Sequence, residues 1–133
     1  MRVLALALPV FFVWEMAQAP AFTGMPEDWV SATAVCGLAA LGDGVIVLGL
    51  WGAGGLLFGD PRWFAPPTLR RYAAIVLVGI GVQVLVEWVM VVYGLGRWGY
   101  GPGQPILPGL RVGLLPLLQT LVLLPLVFGA LAR

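Results

Sequence analysis

Four long apolar stretches, residues 3–22, 31–58, 72–95 and 112–132, constrain this chain more than any other feature. Each approaches or exceeds the ~20 residues that an α-helix needs to cross the hydrocarbon of a bilayer. Backbone polar groups have no water to bond there, so a spanning segment must be a helix or part of a closed barrel. A barrel would need many ~10-residue segments of alternating hydrophobicity, and none is visible. The chain therefore reads as an all-α polytopic membrane protein, a single transmembrane domain of four helices over residues 1–133.

Composition agrees with that reading and removes several function classes. Of 133 residues, 61% are hydrophobic and 10% charged, too little polar surface to cover a soluble domain of this size. All seven basic residues are arginines, histidine is absent and the formal net charge is +1, so no basic footprint for nucleic acid exists. Cys36 is the only cysteine, which excludes an internal disulfide and cysteine-cluster metal sites. Without histidine, histidine-ligated haem, copper and zinc are excluded too. No metal site and no cofactor are expected.

Residues 1–19 imitate a signal peptide, with Arg2, an apolar run and Ala17-Gln18-Ala19 resembling a small-residue cleavage site. Pro20 just beyond it and Glu15 inside the run argue for a retained first span. The breaks between spans are marked by Gly24-Met25-Pro26-Glu27-Asp28, by Asp60-Pro61-Arg62 with Pro66-Pro67, and by the segment from Gly96 to Gly109. Arg2, Arg62, Arg70, Arg71 and Arg133 fall on one side of the spans. Arg97 and Arg111, with Glu27 and Asp28, fall on the other. Arginine excess marks the cytoplasmic side, so the expected topology is N-in/C-in, in the cell's inner (cytoplasmic) membrane. Trp29, Trp63, Tyr72, Trp98 and Tyr100 lie near span ends, where aromatic rings anchor at the interface. The second span is rich in small residues, among them Gly37, Ala40, Gly44, Gly49, Gly52 and Ala53, which permit close helix packing. A faint repeat, Val13-Trp14-Glu15-Met16 against Val86-Glu87-Trp88-Val89-Met90, fits two related helical hairpins.

Glu15, Gln18, Asp43, Gln83, Glu87 and Gln119 lie within the apolar stretches, where ionisable groups are costly enough to make function the default hypothesis. At ~1.5 Å per residue, Glu15, Glu87 and Gln119 lie ~10–12 Å below the outer ends of their spans and Asp43 ~18 Å. Similar depth predicts that they meet in the outer half of one bundle. Glu15 and Gln18 are three residues apart and Gln83 and Glu87 four, so each pair shares a helix face. Gly42 and Gly44 flank Asp43 and leave its carboxyl open to a neighbouring helix or a cavity. The expected catalytic groups are Glu87, Asp43 and Glu15, because hydrocarbon favours the neutral form of a carboxyl and so keeps a proton available for donation. Gln18, Gln83 and Gln119 are the expected substrate-binding amides. Arg97, Trp98 and Tyr100, set among glycines in the outer loop, combine a cation with two rings suited to gripping a headgroup or covering a pocket. The competing structural reading is that the polar groups bond one another to fix helix register. Pro116 and Pro125 serve there to shape the fourth helix.

The run Glu87-Trp88 followed by Gly96-Arg97-Trp98-Gly99-Tyr100 resembles membrane carotenoid-modifying enzymes, the heterodimeric-type lycopene cyclases and the carotenoid hydratases, over about 14 residues. In those families an acid precedes a Gly-x-Trp/Phe-x-Tyr loop. Their Pro-Glu-Glu element has no counterpart here, since Pro26-Glu27-Asp28 falls in a loop. The chain is also similar to small bacterial multi-pass membrane proteins to which no activity attaches. The carotenoid resemblance implies an apolar substrate. Together these features lead to an outer-leaflet acidic pocket for a membrane lipid or isoprenoid-like ligand, with acid-base isomerase, cyclase or hydratase chemistry in view. Two other classes stand beside it. An accessory subunit would use the same residues for assembly, as a homo-oligomer or within a larger membrane complex, and a small proton- or cation-coupled transporter would use the acids as a relay. No Walker loop, nucleophilic triad or metal motif competes.

Overall fold

Proline, aspartate and glycine decide where the helices start and stop. The computed structural model describes residues 2–133. Helix α1, Arg2–Gln18, tightens into a 3-10 turn at Ala19–Ala21, because Pro20 has no N–H to continue the ladder. Asp28 opens α2, Trp29–Phe58, by accepting the Ser31 N–H at 2.8 Å. That contact satisfies an orphan donor and holds the Asp28 carboxyl below its usual range. Gly59, at φ +63°, closes α2 in the left-handed conformation. Helix α3, Leu69–Glu87, runs into one π-helical turn at Trp88–Val92, where the Tyr93 N–H donates to the Trp88 carbonyl at 2.8 Å. Gly94, at φ +71°, ends it. Helix α4 is Leu114–Leu131.

All four helices, α3 counted with its π turn, are long and apolar enough to cross a membrane. The shortest has 18 residues and the longest 30, which at ~1.5 Å per residue is ~27 to ~45 Å against a ~30 Å hydrocarbon core. Leu38, Val45, Leu56, Leu77 and Leu126 stand exposed on their outer faces. Boundaries differ from the sequence reading. The first helix ends in its 3-10 turn at Ala21 and the second begins at Trp29, two residues before Ser31. The third helix begins three residues before Tyr72 and stops at its π turn, and the fourth starts at Leu114 because Val112–Gly113 are taken by a strand.

Four two-residue strands tie the connections together. β1 (Phe22–Thr23) pairs antiparallel with β2 (Gly99–Tyr100), and β3 (Ile106–Leu107) with β4 (Val112–Gly113). The first pairing brings the α1–α2 and α3–α4 connections to one end, the strand-capped end. The α2–α3 connection and both termini lie at the other. Around the bundle, α1 packs on α2 and α4, and α3 packs on α4 and, more sparsely, on α2.

The core runs through Ala7 and Phe11 of α1, Val47 and Leu50 of α2, Ile75 of α3, and Leu124 and Phe128 of α4. Trp63, expected at the interface, is fully buried instead. Its ring sits 4.7 Å from Phe128 and its Nε1 donates to the Trp51 carbonyl at 3.0 Å. Arg71 fastens this plug, donating to the Trp63 carbonyl at 3.0 Å and pairing with Asp60 at 3.6 Å. Gly54 leaves the space the indole fills. The small residues of α2 divide accordingly. Gly44 and Gly54 sit where a methyl group would overlap Leu8 or Trp63, whereas Gly37, Gly42, Gly49 and Gly52 face open space.

Trp63→Ala should lower stability by about 3–5 kcal/mol, the cost of emptying a large aromatic site. Gly52→Ala, with no neighbour to displace, should leave the thermal unfolding midpoint in detergent unchanged. Equal midpoints for the two variants would mean that Trp63 is not a packing keystone.

Candidate functional site

Three of the four helices contribute a carboxyl to one region below the strand-capped end, and the fourth contributes an amide. On α1, Trp14, Glu15 and Gln18 share a face. The Trp14 Nε1 donates to Gln18 Oε1 at 3.1 Å, and Gln18 Nε2 donates to Glu15 Oε1 at 2.8 Å. Gln18 Nε2 also donates to Gln119 Oε1 of α4 at 3.1 Å, and Gln119 Nε2 donates to Asp43 Oδ2 of α2 at 2.6 Å. Asp43 and Glu15 are thus linked through Gln18 and Gln119, each accepting from one of these amides. The chain has a fixed sense, because an indole N–H can only donate. Gln18 must then offer its oxygen to Trp14 and its nitrogen to Gln119, and Gln119 must offer its nitrogen to Asp43. Both amide orientations follow from one ring.

Glu87 belongs to a second arrangement. It is buried on α3 at the last residue before the π turn, and Tyr100 Oη donates to its Oε2 at 2.6 Å. Tyr100 is delivered by strand pairing. Phe22 lies opposite it, with ring centroids 5.9 Å apart, and the Gly101 N–H donates to the Ala21 carbonyl at 2.9 Å. Burial, together with the neighbouring Glu87, pushes the Tyr100 phenol well above its ordinary range, so it remains a neutral donor. The loop is braced further by Trp88 Nε1, which donates to the Leu110 carbonyl at 2.7 Å. With its amide oriented to satisfy its neighbours, buried Gln104 accepts from the Leu114 and Leu115 N–H groups at 3.2 and 3.3 Å, capping α4.

Between these two arrangements is a cavity of about 690 Å³, within the ~300–1,000 Å³ span of small-molecule sites. Glu15, Asp43, Gln83 and Glu87 supply its polar wall, and Phe22, Met25, Ile46, Met90 and Trp98 supply apolar wall. Leu38, Gly42 and Val45 line it too and are exposed on the outer face of α2. The cavity thus reaches the bundle surface beside α2, on the α3 side. Its walls carry no basic side chain among the described residues.

Of the residues singled out in the sequence, Glu15, Gln18, Asp43, Gln83, Glu87 and Trp98 line this one cavity. Gln119 lies behind the wall and reaches it through Asp43, and Tyr100 reaches it through Glu87. Arg97 does not join them. Its side chain is exposed and off the cavity wall, although the next residue, Trp98, lines the cavity. Three contributors escaped the sequence reading. Trp14 was legible in principle, four residues before Gln18. The π turn and the approach of Cys36 to the cavity leave no local signature. Comparisons with protein-family models, curated proteins and solved structures give no match to this chain.

The directed chain makes its members unequal. Gln119→Leu strips Asp43 of its donor and Gln18 of an acceptor, and should cost about 1–3 kcal/mol. Trp14→Phe removes one terminal donor and should cost nearer ~0.6 kcal/mol. Thermal unfolding of both variants in detergent checks the ranking, and a Trp14→Phe cost as large as that of Gln119→Leu would count against it.

Proposed function

We propose that the chain is a cytoplasmic-membrane protein with both termini inside, whose cavity takes a lipid- or isoprenoid-like molecule from the outer leaflet for acid-base chemistry. The observation that carries this reading is the cavity, mostly apolar and open at the bundle surface, with three carboxyls gathered on its wall. A soluble metabolite has no need of an opening among lipid-length apolar side chains. An apolar chain has every need of one.

In this reading one carboxyl gives its proton to a carbon of an alkene and leaves a carbocation. A second carboxylate then removes a proton from the neighbouring carbon, and the double bond re-forms in a new place. Where a second double bond of the same molecule first attacks the cation, a carbon–carbon bond closes a ring and the proton is lost from the cyclic cation. Capture of the cation by water instead, with the extra proton passing to the carboxylate, gives a hydrated product. Isomerisation and cyclisation balance without a co-reactant, hydration consumes one water, and the proton on the second carboxyl returns to the first before the next turnover. Glu87, held by a neutral phenol, and the Glu15–Asp43 pair are the two proton-handling groups, on opposite sides of the space a ligand would fill. The resemblance of Glu87-Trp88 with Gly96-Arg97-Trp98-Gly99-Tyr100 to carotenoid-modifying enzymes supports an apolar substrate.

Topology is checked by cysteine accessibility in a Cys36→Ala background. In intact cells, a cysteine replacing Glu27 should be labelled by a membrane-impermeant reagent and one replacing Arg62 should not. The reverse pattern inverts the orientation and moves the cavity to the cytoplasmic leaflet.

Chemistry is checked by deuterium. Purified protein incubated in D2O with a neutral polyene isoprenoid should transfer deuterium to carbon. Glu87→Gln keeps the volume and still accepts from Tyr100, so it should fold normally and lose that transfer. Glu87→Leu leaves Tyr100 without its acceptor and should also lower stability by about 1–3 kcal/mol. Full transfer by Glu87→Gln removes Glu87 from the mechanism, and none by the wild-type protein removes the catalytic reading.

A further inference from the structure

The cavity's hydrogen-bond inventory narrows the ligand class, on the reading that it takes an amphiphilic molecule at all. The donors of the Glu15–Asp43 side are turned inward. Trp14 donates to Gln18, Gln18 to Glu15 and Gln119, and Gln119 to Asp43. On the other side Tyr100 is spent on Glu87. Carboxyl oxygens are left to meet a ligand, with no basic side chain on the wall to offset them. Gln83 supplies an independent sign that something polar belongs there. It is 7% exposed, lines the cavity, and has Glu87 as its close polar neighbour. Its amide carries two donors and an acceptor, more hydrogen-bonding capacity than one carboxyl uses.

We infer that the cavity selects a single-chain amphiphile with a cationic, hydrogen-bond-donating polar end, seated among Glu15, Asp43, Glu87 and Gln83, and rejects phosphate- or carboxylate-headed lipids. An ammonium gives its protons to carboxyl oxygens and to the Gln83 carbonyl, and its charge is opposed by the carboxyls around it. A phosphate or carboxylate would enter low-dielectric surroundings beside the ionised carboxylate that the proposed chemistry requires, with no arginine to meet it. A carbocation formed on an isoprenoid would present the same sign of charge at the same place. An ammonium is therefore also an analogue of the proposed intermediate.

The test uses three probes with one tail, dodecylamine, dodecanol and dodecanoate, titrated into the full chain in nonionic detergent at neutral pH and read by tryptophan fluorescence and calorimetry. Dodecylamine should bind at least about tenfold more tightly than dodecanol, a difference of about 1.4 kcal/mol, and dodecanoate should not bind measurably. The double variant Glu15→Gln/Asp43→Asn should bring the amine down to the level of the alcohol. Gly42→Phe, which adds a ring at the cavity wall and leaves all three acids in place, should abolish binding of both. Equal binding of amine and alcohol, or tight binding of dodecanoate, overturns the charge selectivity and leaves an amphiphile cavity in place. Binding by none of the three overturns the cavity reading and this inference with it. Amine binding undiminished in both variants reflects micelle partitioning and overturns the site.

Discussion

A polar group within a helix of bilayer-crossing length has to find its partner among the other helices, and in this chain that requirement organises everything below the strand-capped end. The link from Trp14 through Gln18 and Gln119 to Asp43 joins α1, α4 and α2 in one sequence of donors and acceptors. Shape alone would fix the rotation of these helices weakly, since they are apolar on nearly every side. The amides remove that freedom, because a rotation that separates Gln18 from Gln119 leaves two polar groups stranded. Helix α3 packs on α4 directly, and its buried Glu87 is met by Tyr100 reaching down from the loop.

The two ends of the molecule solve different problems. At the end with both termini, Trp63 and its aromatic neighbours fill the interior completely, and Arg71 holds the connecting segment over them. At the strand-capped end the interior is not filled, and the material that would fill it, Trp98, Phe22 and Met90, stands around a void. Packed interiors normally leave few voids larger than a water molecule. A stable plug at one end and a walled space at the other make a scaffold whose polar-walled cavity lies at one end.

How much of this was legible in the sequence follows from what a membrane span encodes. Helix number, composition and the capping by Asp28 and Gly59 are local, and residue order carries them. Shared faces such as Glu15 with Gln18 are local as well. Which helix faces which is not local, and in a soluble bundle an apolar stripe would announce it. Helix α2 has no such stripe, so nothing in its sequence separates Gly44, pressed against Leu8, from Gly49, facing open space. The Gln119–Asp43 contact spans 76 residues and the descent of Tyr100 onto Glu87 depends on a two-residue strand pairing. Trp63 was misplaced for a related reason: a tryptophan beside proline and arginine looks like an interfacial anchor until the glycine that receives it is known.

The strand pairing has a mechanical corollary. β1 leads into α2 and β2 follows α3, so their two hydrogen-bonded residues clamp that pair of helices at one extremity. The Gly59–Thr68 segment, pinned by Trp63, clamps the same pair at the other. Helices α2 and α3 are thus two staves fastened top and bottom and only sparsely joined between. A slit in such a frame widens by bowing its sides, with no hinge swinging at either end. Gly42 of α2 and Met90 of the π turn just beyond Glu87 both line the cavity.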